Sequence, residues 1–365
     1  MNEAEQRVTR RAALVSVLAM VAVGCTAPAA PSPTPAPPKA TEVARPTATV
    51  QPQATTAPAA NVAGKPEKTS LKIGLPVNST IYLPIYLAAD RTFQEEGLNV
   101  EVLSFDGGAG AAQALASGSV DLNANSLSGL LNLINAGQSV KGFYAGLNQA
   151  DFEWLARPEI KSWVDLKGKR VAVTGYGGLT DFLTRHALRQ HGLEPERDVQ
   201  IIQAGAFANI LSALKAGQAD GAILPAPFKW QAEAEGFTRL GTEATEVAEV
   251  WPRAILAARE RFLDENPNTV RALLRAHVKA IRLAKTDREA AIQALIKVLK
   301  YERQDSERAY EEVVASLDER GRLPTNSMPV VWQITVAAGE VTEPWPESRF
   351  LDRRFIDSFD EWAPR

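Results

Sequence analysis

One pattern in this chain limits the fold more than any other, because it occurs twice in the same context. Ala114-Leu115-Ala116-Ser117-Gly118-Ser119-Val120-Asp121 is echoed about a hundred residues later by Ala213-Leu214-Lys215-Ala216-Gly217-Gln218-Ala219-Asp220. Each copy reads as a helix end, a glycine that caps it, and a strand that opens at aspartate. A helix–glycine–strand junction alone recurs in many α/β proteins. Here each copy is also preceded by a matching strand and glycine-bearing turn, Lys72 to Leu75 before the first and Lys169 to Gly175 before the second. The shared order points to two similar α/β lobes.

The flanking segments alternate in the manner of parallel α/β sheets. Strands are expected at Leu71–Val77, Asn99–Phe105, Val120–Ala124 and Val140–Gly146, with helices over Ile81–Glu96, Ala109–Ala116 and Leu127–Asn135. Toward the C-terminus, Thr269–Lys285, Arg288–Lys300 and Ser306–Leu317 carry apolar residues at three- and four-residue spacing and read as helices whose apolar faces pack a lobe.

The N-terminus is different. Arg7, Arg10 and Arg11 precede a short apolar stretch, Ala12–Val23, broken only by Ser16, which is too short to span a bilayer and suits a secretory leader. Residues 1–24 are therefore expected to be a signal peptide. Ala22-Val23-Gly24-Cys25 resembles the lipobox of bacterial lipoproteins, with Ala22 at the position usually held by leucine, so Cys25 is the expected lipidation site. Thr9 to Leu14 also resembles a twin-arginine signal, which leaves both export routes open. Cys25 is the only cysteine, so an exported chain of this kind has no disulfide framework. Residues 25–69 are dominated by Ala, Pro and Thr and are expected to form a disordered tether, lacking the apolar bulk to offset their ordering entropy.

Composition excludes several classes for the body. The formal net charge is −3, and the leader's three arginines against Glu3 and Glu5 leave −4 for the rest. No basic stripe suits nucleic acid. Cysteine nucleophilic chemistry has no thiol to use in the body, since Cys25 precedes it. The three histidines, His186, His191 and His277, lie in expected helices, and the i, i+5 spacing of the first two does not place two ligands on one face; no metal site and no cofactor are expected. Gly175-Tyr176-Gly177-Gly178 lacks both the dinucleotide spacing and a Walker lysine.

Several short stretches then carry a family likeness: Pro84 to Ala89 with Glu96-Gly97-Leu98, Ala114 to Asp121, Asp165 to Val173, and Ala213 to Pro225. In order and spacing, from about residue 70 to 345, the body resembles the periplasmic-binding-protein type II fold, specifically the nitrate, sulfonate, taurine and thiamine-precursor binding proteins of ABC importers. The resemblance implies two lobes, each a mostly parallel sheet flanked by helices, with a ligand cleft between them. It implies lobe 1 from 70–156 plus 251–365, lobe 2 from 157–250, and hinges near Arg157 and Trp251. It also implies a monomer that hands a small solute to a permease with its ATPase, at the outer face of the cytoplasmic membrane or in the periplasm. Two other readings fit the same fold: an enzyme of the dehydratase or pyrimidine-synthase kind, and a receptor that presents its ligand to a sensor.

Binding chemistry is expected where the carboxyl ends of the strands meet. Asn78, Ser79, Thr80 and Tyr82 follow the first strand, Asp106 and Gly107 the second, and Asn125 and Ser126 the third, while Tyr176, Gly177, Gly178 and Thr180 open the equivalent helix of the second lobe. Helix starts and hydroxyls of this kind can hold an anion without a buried arginine. Tyr82, Tyr144, Tyr176 and Trp251 are candidates to wall a flat or apolar ligand instead. The absence of Arg or Lys from the first-lobe loops favours a neutral or singly charged ligand.

Overall fold

The computed structural model describes residues 64–365; the leader, Cys25 and the tether up to residue 63 lie outside the described residues. The first half of the chain runs β1 (Ser70–Leu75), α1 (Leu83–Leu87), α2 (Phe93–Glu95), β2 (Asn99–Ser104), α3 (Gly108–Ser117), β3 (Leu122–Asn125), α4 (Leu127–Asn135) and β4 (Val140–Asn148). The chain then crosses to a second lobe: β5 (Glu153–Ala156), β6 (Arg170–Val173), α5 (Leu179–Gln190), β7 (Gln200–Gln203), α6 (Phe207–Lys215), β8 (Gly221–Leu224), α7 (Phe228–Ala234), β9 (Thr238–Thr242) and α8 (Glu243–Glu246). It returns as β10 (Pro252–Arg259) and continues into α9 (Glu260–Glu265), α10 (Pro267–Thr286), α11 (Arg288–Leu299), α12 (Arg303–Val314) and α13 (Met328–Ala337).

The two sheets have the same topology, β2-β1-β3-β10-β4 and β7-β6-β8-β5-β9. In the first, β1 pairs in parallel with β2 and β3, and β10 runs antiparallel between β3 and β4. In the second, β6 pairs in parallel with β7 and β8, and β5 runs antiparallel between β8 and β9. Four strands of each sheet therefore run one way, and the strand that has just crossed from the other lobe runs against them. The central strands β3 and β8 are buried at every position, as expected of strands covered on both faces.

The sequence echo is reproduced in the backbone of the two turns and in the aspartate that follows each. Gly118 and Gly217 turn the chain out of α3 and α6 with φ of 80° and 70°, values that glycine adopts without strain. Asp121 Oδ2 then accepts from the amide of Lys72 at 3.0 Å, and Asp220 Oδ2 from the amide of Arg170 at 2.9 Å. Each aspartate thus latches its turn to the first residues of the neighbouring strand. The arginine at the end of each crossing strand packs on the same turn. Arg259 Nη1 donates to the carbonyls of Leu115 and Val120, and the Arg157 guanidinium lies against Gly217.

Three boundaries differ from expectation. β5 pairs with β8 and β9, so the first crossing lies at 149–152, one strand before the expected division after residue 156. The expected tether overlaps the folded body, because Glu67 accepts from the amides of Asn268 and Thr269 at 3.1 and 2.8 Å; its carboxylate covers orphan donors at the start of the 20-residue helix α10. The third is at the C-terminus, which packs on both lobes, since α13 contacts α5. The three expected C-terminal helices form as α10, α11 and α12, with Asp287 capping α11 through the amide of Ala290 at 3.0 Å.

Candidate ligand-binding site

The carboxyl ends of the parallel strands of both sheets converge on one cavity between the lobes. Pro76 and Val77 come from the end of β1, Gly107 and Gly108 from the end of β2, Asn125 and Ser126 from the end of β3, Thr174 and Thr180 from the turn after β6, and Phe207 from the start of α6. Ile81, Tyr82, Leu179, Phe152 and Arg253 complete the wall. The lobes are closed on each other: Gly107, at φ 127°, leaves no side chain between itself and Thr174, and Asn132 Nδ2 donates to the carbonyl of Gly177 at 3.2 Å.

The polar groups of the wall are held in place. Asn125 is committed on both sides, Nδ2 donating to the carbonyl of Gly108 at 2.9 Å and Oδ1 accepting from the amide of Ser126 at 2.8 Å. Ser126 caps α4, its hydroxyl accepting from the amide of Gly129 at 3.2 Å, which leaves its own proton free for the cavity. Thr180 Oγ1 accepts from the amide of Thr174 at 3.0 Å and lies 2.8 Å from Thr174 Oγ1. Two hydroxyls sharing one mutual hydrogen bond keep one O–H to offer a ligand. Ser126 at the start of α4 and Leu179 and Thr180 at the start of α5 bring one helix N-terminus from each lobe to the cavity wall.

Arg253 supplies the cation. It opens β10 with its guanidinium carbon 4.0 Å from the ring centre of Phe152, and its Nε donates to Asp151 Oδ1 at 2.6 Å, both side chains being buried. Nη1 and Nη2 make no hydrogen bond among the described residues, so two planar donors remain for an anion. Burial opposes this charge, but the carboxylates of Asp151 and Glu243 outweigh it and raise the Arg253 pKa.

The same groups tie together the two chain crossings. Asp151 and Phe152 lie in the first, and Arg253 follows the second. Glu243, fully buried, accepts from the amides of Asp151 and Phe152 at 3.0 and 3.2 Å, and burial together with Asp151 pushes its carboxyl up to about 8 against the pull of Arg253. Lys229 donates to the carbonyl of Asp151 at 3.2 Å and pairs with Glu153 and with Glu312 of α12, at 3.3 and 3.1 Å. Hinge and binding wall thus share residues.

Of the residues singled out in the sequence, Tyr82, Gly107, Asn125, Ser126 and Thr180 line the cavity, and Tyr176, Gly177 and Gly178 line a separate neighbouring pocket that shares Gly108, Asn125 and Ser126 with it. Tyr82 is held by its hydroxyl, which donates to the carbonyl of Ala124 at 3.0 Å. Asn78 and Asp106 are exposed, and Ser79 and Thr80 are buried without lining it. Tyr144 is buried in the first lobe and donates to the carbonyl of Glu319 at 2.6 Å, and Trp251 is buried in the core. The sequence reading missed Phe152, Thr174, Phe207 and Arg253. The clue to Arg253 was a charge heading the otherwise apolar strand Pro252–Ala258, where a buried cation needs a partner or a task. The cavity wall carries no His, Cys, Asp, Glu or Lys and so offers no nucleophile beside a base. Among the described residues no cluster suits a metal ion, and no helix is long and apolar enough to cross a membrane.

Relatives share this body. YtlA of Bacillus subtilis (strain 168) is 29% identical over 218 residues, 58% of this chain and 65% of YtlA. The taurine-binding periplasmic protein of Escherichia coli (strain K12) is 29% identical over 197 residues, 53% of this chain and 60% of that protein. The chain therefore spans somewhat less than two thirds of the length of these curated relatives. The crystal structure of the periplasmic nitrate-binding protein NrtA from Synechocystis PCC 6803 superposes with a TM-score of 0.65 at 18% identity, covering 82% of this chain and 88% of that one, which shows the two-lobed periplasmic-binding-protein fold. Residues 64–300 match the profile of the NMT1-like family, and the chain belongs to that family.

Proposed function

We propose that this chain is an exported solute-binding protein that closes its two lobes around a small anion and delivers it to an ABC importer. The observation that carries the reading is the interlobe cavity, in which the free guanidinium nitrogens of Arg253, the hydroxyls of Ser126 and of the Thr174–Thr180 pair, and two helix starts converge. Sulfonate, nitrate and carboxylate oxygens all match such donors. The taurine-binding relative and the nitrate-binding structural neighbour support the same ligand chemistry. Capture is coupled to shape because Asp151, Phe152 and Arg253 belong at once to the cavity or its support and to the two crossings, so a ligand held by Arg253 biases hinge closure. An N-terminal leader with lipidation at Cys25 would keep the receptor near its permease, and replacement of Cys25 by Ala is expected to release it from membrane fractions while leaving binding intact.

The test is thermal shift and calorimetry on the purified protein with taurine, alkanesulfonates, nitrate and hydroxymethylpyrimidine. A ligand of the closed state must raise the melting temperature by mass action, about 2.7 kcal/mol of stabilisation at a hundredfold excess over Kd. Saturable binding with the ligand recovered unaltered, lost in Arg253→Gln, supports the reading. Turnover of the ligand would move the case to an enzyme.

A further inference from the structure

The buried charges behind the cavity wall do not balance. Glu243 of α8 grips the first crossing twice: its amide donates to the carbonyl of Phe152 at 2.8 Å, and its Oε2 accepts from the amides of Asp151 and Phe152. What it grips is the support of the anion site, since Asp151 holds Arg253 Nε and the Phe152 ring lies against the guanidinium. The other carboxyl oxygen, Oε1, is buried with no hydrogen-bond partner among the described residues. A bare carboxylate oxygen away from water is costly, and a proton placed there removes the charge while Oε2 keeps both amides.

The charges that act on Glu243 are Arg253 of β10 and Asp151 of the first crossing. Beyond Asp151, Lys229 of α7 is taken up by Glu153 and by Glu312 of α12, and Arg239 reaches Glu153 at 3.3 Å. Tyr82, which feels both Arg253 and Asp151, stays neutral because burial raises the pKa of its hydroxyl. On α8 itself, Glu246 pairs with His191 at 2.7 Å. Among the described residues no cation forms an ion pair with Glu243, and Asp151 already occupies Arg253 Nε. Burial, joined by Asp151, holds the Glu243 carboxyl up at about 8, and Arg253 is the one charge that pulls it down. An anion seated on Nη1 and Nη2 of Arg253 cancels that pull and strengthens the hold of Glu243 on a proton.

We propose that Glu243 is a positioning residue that makes anion capture proton-linked: the anion settles on Arg253 together with one proton from solvent, which goes to Glu243 Oε1. The inference rests on the anion-binding reading of the interlobe cavity. Linkage is reciprocal, so the protonated protein binds the anion more tightly, and affinity is lost as the pH rises through the window in which Glu243 gives up its proton. Below that window Glu243 is already protonated and pH has no hold on Kd. Within it, one proton per anion weakens binding by at most about tenfold per pH unit. The total loss is expected at about 5–150-fold, the usual span of a coupling between two sites.

Calorimetry on the full chain tests this with nitrate and methanesulfonate, ions of fixed charge, titrated at pH values from about 6.5 to 9.5 so that both sides of the window are sampled. The expected result is a Kd that is constant at the lower values and rises above a pH of about 8. In that window the binding heat should depend on the ionisation heat of the buffer, which reads the uptake of up to one proton per anion. Glu243→Gln fixes the neutral state and keeps the acceptor for both amides, so slope and proton uptake should vanish together. Proton uptake is measured on the unaltered protein and so stands even where the variant fails to fold. Binding that is independent of pH and exchanges no proton would overturn the role of Glu243 and leave the anion site standing. A slope that persists in Glu243→Gln would give it to another group and overturn the role equally, and failure of both ions to bind at every pH would overturn the anion site as well.

Discussion

The two lobes are built to one plan and used differently. Both have five strands in the same order, both put the crossing strand antiparallel in the fourth position, and both latch the helix–glycine turn with an aspartate. They diverge in what the helix starts offer: α4 presents a serine cap and α5 a hydroxyl pair. They also diverge in the crossing strands, since β10 brings a buried arginine into the cleft, while β5 brings Glu153 toward Lys229. A duplicated scaffold therefore supplies symmetric support, and the binding charge comes from the one strand whose first residues break the symmetry.

The strongest way to break the comparison is at the point where the lobes meet. Replacing Arg253 by Met leaves Asp151 buried without its partner, and losses of this kind run to about 3–5 kcal/mol. The double change with Asp151→Asn should recover much of that in urea unfolding, while ligand binding stays lost. A single Arg253→Met variant as stable as the parent would remove the pair from the hinge. The next largest effect concerns the paired latches. Asp121→Ala and Asp220→Ala each strand a backbone amide, at a cost of about 1–3 kcal/mol, and equal losses are expected if the lobes are equivalent there.

The lobes also carry opposite pH dependences. His277 packs edge-on to Tyr144 in the first lobe, and burial lowers its pKa from 6.5 to about 4. The unfolded chain therefore takes up a proton that the folded one refuses, and this group costs stability as the pH falls from 6.5 toward 4. Glu243 at the second-lobe hinge runs the other way, its pKa raised from 4.5 to about 8. The unfolded chain releases its proton first, and stability is lost as the pH rises through that window. Each slope is at most about 1.4 kcal/mol per pH unit. Melting curves should show Glu243→Gln flattening the decline between pH 6.5 and 8, where His277 is silent; between pH 4.5 and 6.5 the two slopes oppose each other, so it is in the Glu243→Gln background that His277→Gln should flatten the fall in stability from pH 6.5 to 4. A wild-type curve flat on both sides would sink this assignment.

What the sequence disclosed follows from how local the physics is. The Gly118 and Gly217 turns were legible because a left-handed cap and an aspartate at a strand start are decided within a few residues. The same holds for the loops at Asn125–Ser126 and Gly177–Thr180, since a helix cap writes itself into adjacent positions. Strand direction is not local: Glu153–Ala156 reads as any short strand, and only its pairing with β8 and β9 assigns it to the second lobe. Tyr144 and Trp251 look like cleft aromatics until β4 and the second crossing are seen to bury them. Arg253 was hidden for the same reason, because its partner Asp151 is 102 residues away and the pair exists only once both crossings lie side by side.

The smallest effect separates backbone equivalence from side-chain equivalence. At Gly118 and Gly217 an alanine must adopt left-handed backbone, a cost of about 1–2 kcal/mol at either site, so the two lobes should respond alike to first order. A Cβ at 118 would meet Arg259 Nη1 at 3.6 Å, an ordinary contact, and Arg259 is pinned by its bonds to Leu115 and Val120. At 217 it would come within 2.5 Å of Arg157 Nη1, and that guanidinium, half-free and paired with the exposed Glu159, can swing aside at little cost. Gly217→Ala is therefore expected to lose only slightly more than Gly118→Ala in urea unfolding. A much larger loss at 217 would mean that Arg157 is as firmly built into its turn as Arg259, and that the equivalence of the lobes extends from the backbone to the arginines that cover it.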